Sequence, residues 1–517
     1  MEKRTGYIMV NAALKYETLE VELPKNPLFL PSPLRYGSVS IAQMVNNGHR
    51  YDASAYNIEA MNALRKVKRN KYGFVHLLGV HGLVKEAFVG SRFKRIYTDN
   101  PKDIPFYLPS DIENVYPKAS KYISAKTDTD INALKVESNM LLMSVSGTIG
   151  KTAIVRRRLD NCVFSHDLLR VVFKNDFDLG YVYAFLNTET GLLILQSNNY
   201  GAVIDHIEPE HLANVPIPNA PKELKEAIHN LIVESYDLRD KSNDLIDEAQ
   251  ELLYKELQLP DISTIKGMNY AENKGFQNYV VKSSQLNGRL DGSYHIPEVK
   301  EIIKAISLNA AEVTTLGDPR ISSDIVLPGR FKRIYVDKEH GVPFFGGKQL
   351  LSLNPTNVKY LSLAHHGDRI EDQLLLEKNM CAVTCSGTIG KVMIVPEHWE
   401  GWTLNQHVMR IKPTTESMAG YVFAWLDSPY AKPLIVRNTY GAVVDEIDDN
   451  QLSTVAIPLL KNKDIQQKIN NLVLEANELR YQAYLKEQEA INKMNEIINN
   501  QSIMAKISIR FYNDRED

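Results

Sequence analysis

Residues 146–152 read SGTIGKT, directly behind the apolar run LLMSV at 141–145. A glycine-rich turn with a lysine and a threonine after a strand offers the chemistry of a phosphate cradle. Backbone N–H groups would wrap the phosphates, the lysine would meet their charge and the hydroxyl would ligate magnesium. The spacing argues against it. The first glycine of such a loop falls on Val145. The string also returns as SGTIGK at 386–391, followed by Val392, which cannot ligate a metal. A turn present twice, once without its hydroxyl, reads as scaffold or recognition surface rather than as an ATPase loop.

That recurrence is one of seven. RYDAS at 50–54 answers RLDGS at 289–293, and RFKRIY at 92–97 recurs unchanged at 330–335. GYVYAFL at 180–186 answers GYVFAWL at 420–426, and YGAVID at 200–205 answers YGAVVD at 440–445. NVPIP at 214–218 pairs with TVAIP at 454–458, and NLIVESYDLR at 230–239 with NLVLEANELR at 471–480. The offset drifts only from 238 (RFKRIY) to 241 (NLIVESYDLR) along the chain. A period this long means two tandem copies of one module, not a solenoid of short units. Two similar modules suit a task with two similar half-sites.

The duplication also tests each candidate for catalysis. Asp291, Glu298 and Lys300 have the acid–acid–lysine order of some nucleases, but the first copy sets Met61 where the lysine should stand. His166-Asp167 could belong to a metal-dependent hydrolase, but its partner pair is Gln406-His407. The chain has no adjacent prolines, and so no Asp/Asn-Pro-Pro-aromatic loop of an N-methylating enzyme. It has no Gly-x-Ser-x-Gly elbow, no His-Glu-x-x-His and no paired Cys/His zinc spacing. The reading is therefore non-catalytic, without metal or cofactor. Ser165-His166-Asp167 against Asn405-Gln406-His407 is a polar mismatch inside matched surroundings. Side chains of these types read base edges in DNA grooves.

At 517 residues with 44% hydrophobic and 24% charged residues, the chain has the length and balance for several globular domains. Cys162, Cys381 and Cys385 form no disulfide framework, which suits a reducing cytoplasm. No apolar run approaches a membrane span, and the first residues lack a full signal-peptide core. A net charge of −3 is unlike the basic footprint of a DNA binder. Yet basic residues cluster at Arg65–Lys71, at Arg92, Lys94 and Arg95, at Arg156–Arg158, and at Arg330, Lys332 and Arg333. Local potential, not the total, governs binding to phosphates.

Each copy ends in a long helical segment. Over 222–256 leucine recurs at Leu231, Leu238, Leu245 and Leu252, a seven-residue spacing without Gly or Pro. Over 463–499, Ile469, Ala476, Ala483, Ala490 and Ile497 hold one seam position, while Leu472 and Leu479 hold the other. The economical arrangement pairs these helices with each other through those residues. Before each helix, short β-branched and aromatic runs broken by Gly, Pro and Asn predict strands punctuated by short helices. The fold expected is α+β, with two similar globules each followed by a long helix.

Stated twice in the order Arg-Tyr/Leu-Asp-x-Ser, FKRIY, SGTIGK, YGAV, Ile-Pro strand and long helix, this pattern resembles the specificity subunit of type I restriction-modification systems. The resemblance spans nearly all of the chain after the first ~35 residues. It implies target-recognition domains at 38–219 and 259–460 and conserved spacer helices at 220–258 and 461–500, pairing as an antiparallel coiled coil. An N-terminal extension at 1–37 and a tail at 501–517 complete the chain. The partners implied are double-stranded DNA, two N6-adenine methyltransferase subunits and a separate restriction/translocase subunit, all in the cytoplasm and away from membrane. The residues expected to contact DNA are Arg92, Lys94, Arg95, Ser146, Thr148, Lys151, His166 and Tyr200 in the first copy. In the second they are Arg330, Lys332, Arg333, Ser386, Thr388, Lys391, Gln406, His407 and Tyr440. Readings from other classes are a DNA-free scaffold of a phage-defence complex, or an ATPase or nuclease using the SGTIGK turn or Asp291.

Overall fold

The computed structural model describes residues 39–46, 56–98, 100, 102–119, 121–197, 206–267, 279–286, 288–441 and 444–500. Arg50, Asp52 and Ser54, Tyr200 with the rest of YGAVID up to residue 205, the extension at 1–37 and the tail at 501–517 lie outside them. Met1–Glu59 form one compact unit, with a described helix at Ile41–Asn46, and Ala60–Asp517 form the other.

The second unit states one architecture twice. In the first copy a four-stranded sheet runs in the order Val84–Val89, Leu168–Phe173, Leu141–Ser144, Thr152–Ile154. In the second the order is Ser322–Val326, Val408–Pro413, Cys381–Thr384, Val392–Ile394. Both sheets are antiparallel, and the first strand of each carries a bulge, at Val84/Glu86 and at Ser322/Asp324. A smaller four-stranded sheet accompanies each, with Ile104–Tyr107 pairing parallel to Val163–Phe164 and Gly341–Phe345 parallel to Thr403–Leu404. The Ile-Pro strands Pro216–Pro218 and Ala456–Leu459 pair with Phe74–His76 and Glu312–Thr315. LLMS and CAVT are buried at every position, which explains their unbroken apolar pattern. Burial pushes the Cys381 and Cys385 thiols up to about 12, so both are unreactive core residues.

The SGTIGK string is the turn joining two of these strands. Gly147, Gly150, Gly387 and Gly390 hold φ of +72°, +92°, +73° and +78°, a region closed to most side chains. Ser144 Oγ donates to the Thr148 carbonyl (2.6 Å) and accepts from the Lys151 N–H (3.0 Å); Thr384 Oγ1 repeats both bonds around Thr388 and Lys391. Of the amides a phosphate would need, those of Gly150 and Lys151, and of Gly390 and Lys391, are engaged inside the turn.

GYVYAFL and GYVFAWL form the helices Asp176–Leu186 and Glu416–Leu426, buried almost throughout. Their glycines let each helix touch a long helix. A Cβ at Gly180 would lie 2.7 Å from His229 Cα, and one at Gly420 2.3 Å from the Asn470 carbonyl oxygen. The tyrosine hydroxyls then donate to the Pro218 and Pro458 carbonyls, tying each Ile-Pro strand to the same joint.

The long helices run Lys222–Glu256 and Lys463–Asn499, each about 50 Å at 1.5 Å per residue. They pair antiparallel: Glu234 meets Lys486, Ser235 meets Ala483, Asn243 meets Arg480 and Glu248 meets Lys468. Ala476, Ala483 and Ala490 lie in the buried seam, with Ile469 and Ile497 toward its ends. The leucine stripe does not form its centre. Leu231, Leu238, Leu245 and Leu252 are half-buried and pack toward the globular cores, as Leu479 remains half-buried and Leu472 joins the core of the second copy. The fully buried line is Ile228, Ile232, Ser235, Ser242, Ile246, Ala249 and Leu253. Small side chains there let the backbones approach closely, and Ser235 Oγ reaches the Ala483 carbonyl at 2.7 Å. Leucines at Ser235, Ser242 and Ala249 would hold the helices apart.

The globules are not separated by helices alone. The Val115 N–H donates to the Leu351 carbonyl (2.7 Å), and Val115 packs into a cluster with Phe345, Leu350, Leu353 and Trp399 of the second copy. Asn243 of the first long helix donates to the Val115 carbonyl (2.9 Å), closing the contact from a third side.

Gly420→Ala should destabilise the chain by about 1–3 kcal/mol in denaturant unfolding, because the added methyl meets backbone that cannot yield cheaply. Gly367→Ala, where a Cβ meets nothing within 4 Å, should change stability by less than about 0.5 kcal/mol. Equal effects would remove the close-approach account of the GYV motif.

His398 sets a pH limit. It stacks on Tyr484 (centroids 3.8 Å apart), donates from Nε2 to the Leu353 carbonyl, and is held down to about 4 by burial. Its folded-state value lies below the ordinary 6.5, so as pH falls from 6.5 toward 4 the unfolded chain takes up a proton that the folded chain refuses. Its contribution should therefore fall by on the order of 2–3 kcal/mol across that window. Melting curves of His398→Phe should show a shallower pH dependence there than the parent. Parallel curves would contradict the assignment.

Candidate nucleic-acid interface

The two RFKRIY segments alternate their side chains. Phe93 and Phe331 turn inward against Phe106 and Phe344, edge to face at 6.1 and 6.5 Å. Arg92, Lys94, Arg330 and Lys332 are exposed. Among the described residues no ion pair joins Arg92, Lys94 or Lys332 to a carboxylate, whereas Arg330 reaches Glu446 at 3.1 Å.

Arg95 and Arg333 point the other way. The Arg95 guanidinium lies over the Phe93 and Phe106 rings, at 5.9 and 5.7 Å, and Arg333 lies over Phe331 and Phe344 at 5.9 and 5.4 Å. From there Arg95 Nη2 meets Ser165 Oγ, His166 Nδ1 and Asp167 Oδ2, each at 3.0 Å. Arg333 Nη2 donates to Gln406 Oε1. The expectation that all three bases of each string face phosphates is corrected for these two. A half-buried guanidinium engaged with side chains of its own globule is not free to follow a backbone.

The mismatched triplets thus occupy equivalent places on equivalent supports. Burial, assisted by Arg95, lowers His166 below the usual imidazole range; burial and then Arg333 do the same for His407. Both rings are neutral near pH 7, and His166 spends Nδ1 on Arg95 and Nε2 on Asp167 (3.1 Å), while His407 Nε2 meets the Gln406 amide. In the second copy Arg330, Ser386, Gln406, His407, Tyr440 and Glu446 line one groove of about 250 Å³. Five of these were expected from sequence; Glu446 was not. In the first copy Ser146 bridges to His206 as Ser386 does to Glu446, while Tyr200 lies outside the described residues.

Several expected contacts are placed elsewhere. Lys151 pairs with Glu113, and with Thr148 it lines a cleft against Tyr236, Arg239 and Glu487 of the long helices. Thr388 and Lys391 do not line the groove, and the Gly390 side of their turn faces the helix Ala431–Val436. For Lys391 the physical reason is the turn itself, whose Gly390 end folds back onto helix, whereas Thr148 and Thr388 are exposed at the tip. Arg156, Arg157 and Arg158 are also unavailable, being paired with Asp237, Asp244 and Asp247 on the first long helix at 2.5–2.9 Å.

Two supporting residues escaped the sequence reading. Arg170 is fully buried and donates to the carbonyls of Leu168 (3.1 Å), Leu134 (3.1 Å) and Phe164 (3.3 Å); its counterpart Arg410 donates to Leu375. Burial lowers both to about 10. They pin the backbone that carries the triplets. The signal was an arginine at the same place in two apolar strands, LLRVVF and VMRIKP.

No family model matches the chain, and no curated protein matches it. Among solved structures, the chain is similar to the S subunit of a type I restriction-modification system from M. genitalium. The identity is 12% and the TM-score 0.30, over 82% of this chain and 98% of that one. It is similar to the HsdS subunit from Thermoanaerobacter tengcongensis at 14% identity and a TM-score of 0.25, over 82% and 98%. A further similar chain comes from a structure of type I system assembly and conformational transition, at 13% identity and a TM-score of 0.26, over 81% and 99%.

Proposed function

We propose that this chain is the DNA-specificity subunit of a type I or type I-like restriction-modification complex. It reads a two-part double-stranded target and docks N6-adenine methyltransferase subunits in the cytoplasm, itself performing no chemistry. The observation that carries this reading is the duplicated platform: exposed bases beside a polar triplet, built twice on one antiparallel helix pair. Antiparallel pairing relates the two platforms by an approximate two-fold, which suits half-sites met in opposite senses. The acid-rich first long helix is a poor surface for phosphates and is left for protein partners. Two features oppose the ATPase reading: the engaged amides of the SGTIGK turn and the pairing of Lys151 with Glu113. Among the described residues no helix is long and apolar enough to cross a membrane.

Neutralising Arg92 with Lys94, or Arg330 with Lys332, should weaken binding of the full chain to every duplex alike. Each lost phosphate contact should lower the slope of log affinity against log salt by about one. Lys151→Ala and Lys391→Ala should leave that slope unchanged. Titration of labelled duplex at several salt concentrations decides it, and a slope that falls equally for Lys151→Ala would sink this placement of the interface.

A further inference from the structure

What is identical in the two platforms is support, and what differs sits at the groove. The Phe–Arg pairs are unchanged between copies, and each arginine ends on the triplet whose identity changes from Ser-His-Asp to Asn-Gln-His. Gln406 is the most constrained of these side chains. Arg333 occupies one lone pair of its carbonyl oxygen, and its amide lies 2.9 Å from His407 Nε2, which accepts one of its two hydrogens. One lone pair and one N–H remain on a carboxamide lining the groove. A paired acceptor and donor in that order match the N6–H and N7 of adenine at the major-groove edge.

We propose that Gln406 reads an adenine in the half-site of the second copy, with Arg333 as the positioning residue that fixes its amide. His166, whose Nδ1 meets Arg95 and whose Nε2 meets Asp167, takes the corresponding place in the first copy and supports a different half-site. This inference rests on the DNA-specificity reading above and adds a base and a residue to it. Arg333 cannot be exchanged for lysine at this task. Only a planar guanidinium can lie along two aromatic rings and still direct an N–H at the carboxamide.

The test is selection of bound sequences from a random duplex library by the full chain, for the parent, Gln406→Ala, Arg333→Lys and His166→Ala. Gln406→Ala should lose the preference for an A·T pair at one position of one half-site. Its affinity for the parent's selected duplex should fall about 10- to 100-fold, while affinity for unrelated duplex stays within about twofold. Arg333→Lys should blur the same position, and His166→Ala should alter only the other half-site. Matching melting curves for parent and variants separate these effects from misfolding, and Gln406→Glu, which keeps the shape and removes the donor, gives a second variant. A two-part sequence that Gln406→Ala and Gln406→Glu both leave intact, or one that either variant weakens equally on every duplex, overturns the inference alone. A parent chain that selects no sequence overturns the specificity reading itself, and this inference with it.

Discussion

The close antiparallel approach of the two long helices is the constraint on which the rest of the molecule depends. Ser235, Ser242 and Ala249 face a line of Ala476, Ala483 and Ala490, all fully buried. Inside that seam Arg239 and Glu487 form a buried ion pair at 2.6 Å, and the Tyr183 hydroxyl donates to the same carboxylate. A buried pair of this kind adds little net stability but makes every other register costly, since a shift would strand both charges. Arg480 has the same effect from the opposite side. Burial lowers it to about 10, and it meets Asn243 Oδ1 at 3.3 Å across the seam. Small residues set the distance and buried polar residues set the register.

Because Tyr183 belongs to the first globule and Glu487 to the helix of the second copy, the seam also fixes a globule. The GYV helices repeat this logic through backbone contact at Gly180 and Gly420, so each platform is bolted to the helix pair within the first turns of a rigid element. The Val115 loop adds a direct link between the globules, anchored by Asn243. The distance between the platforms is therefore set by a triangle of helix, helix and loop. A frame of this kind resists bending better than two helices alone, because changing the distance between the globules must also extract Val115 from an apolar cluster.

Much of this was legible in the sequence because its physical cause is local. The duplication, both long helical spans, the strand-rich globules and the alanine seam follow from periodicity and composition. The glycines of SGTIGK are dictated by positive φ within the turn. What was missed depends on partners distant in the chain. A seven-residue leucine spacing marks a helix stripe without saying whether another helix or a globule covers it; here Leu231 and its successors flank the seam. The bases of Arg156–Arg158 look like a surface for phosphates until the acids of residues 237–247 are brought against them. The inward turn of Arg95 and Arg333 was available from the alternation of FKR beside an aromatic partner, but only the folded sheet supplies Phe106 and Phe344.

The duplication acts as an internal control on the roles assigned. Each copy has diverged on the same scaffold, so a side chain that serves the fold meets the same surroundings twice, and a side chain that serves an external target need not. Gly180 and Gly420, Tyr181 and Tyr421, and Ser144 and Thr384 each keep their bonding in both copies, and Arg170 and Arg410 both end on backbone carbonyls. The triplets at 165–167 and 405–407 keep their position and support while changing their hydrogen-bonding identity. Lys151 is a third kind. It repeats in sequence as Lys391, but the residue that pairs with it in the first copy, Glu113, lies in the segment that reaches across to the second globule. Its role follows from the asymmetry of the assembled pair, not from the module. The equivalent loops of the two modules meet across the seam, where Asn114 bridges to Ser352, but the position of Glu113 is taken there by Leu351, so repeated residues diverge in partner even where they agree in type.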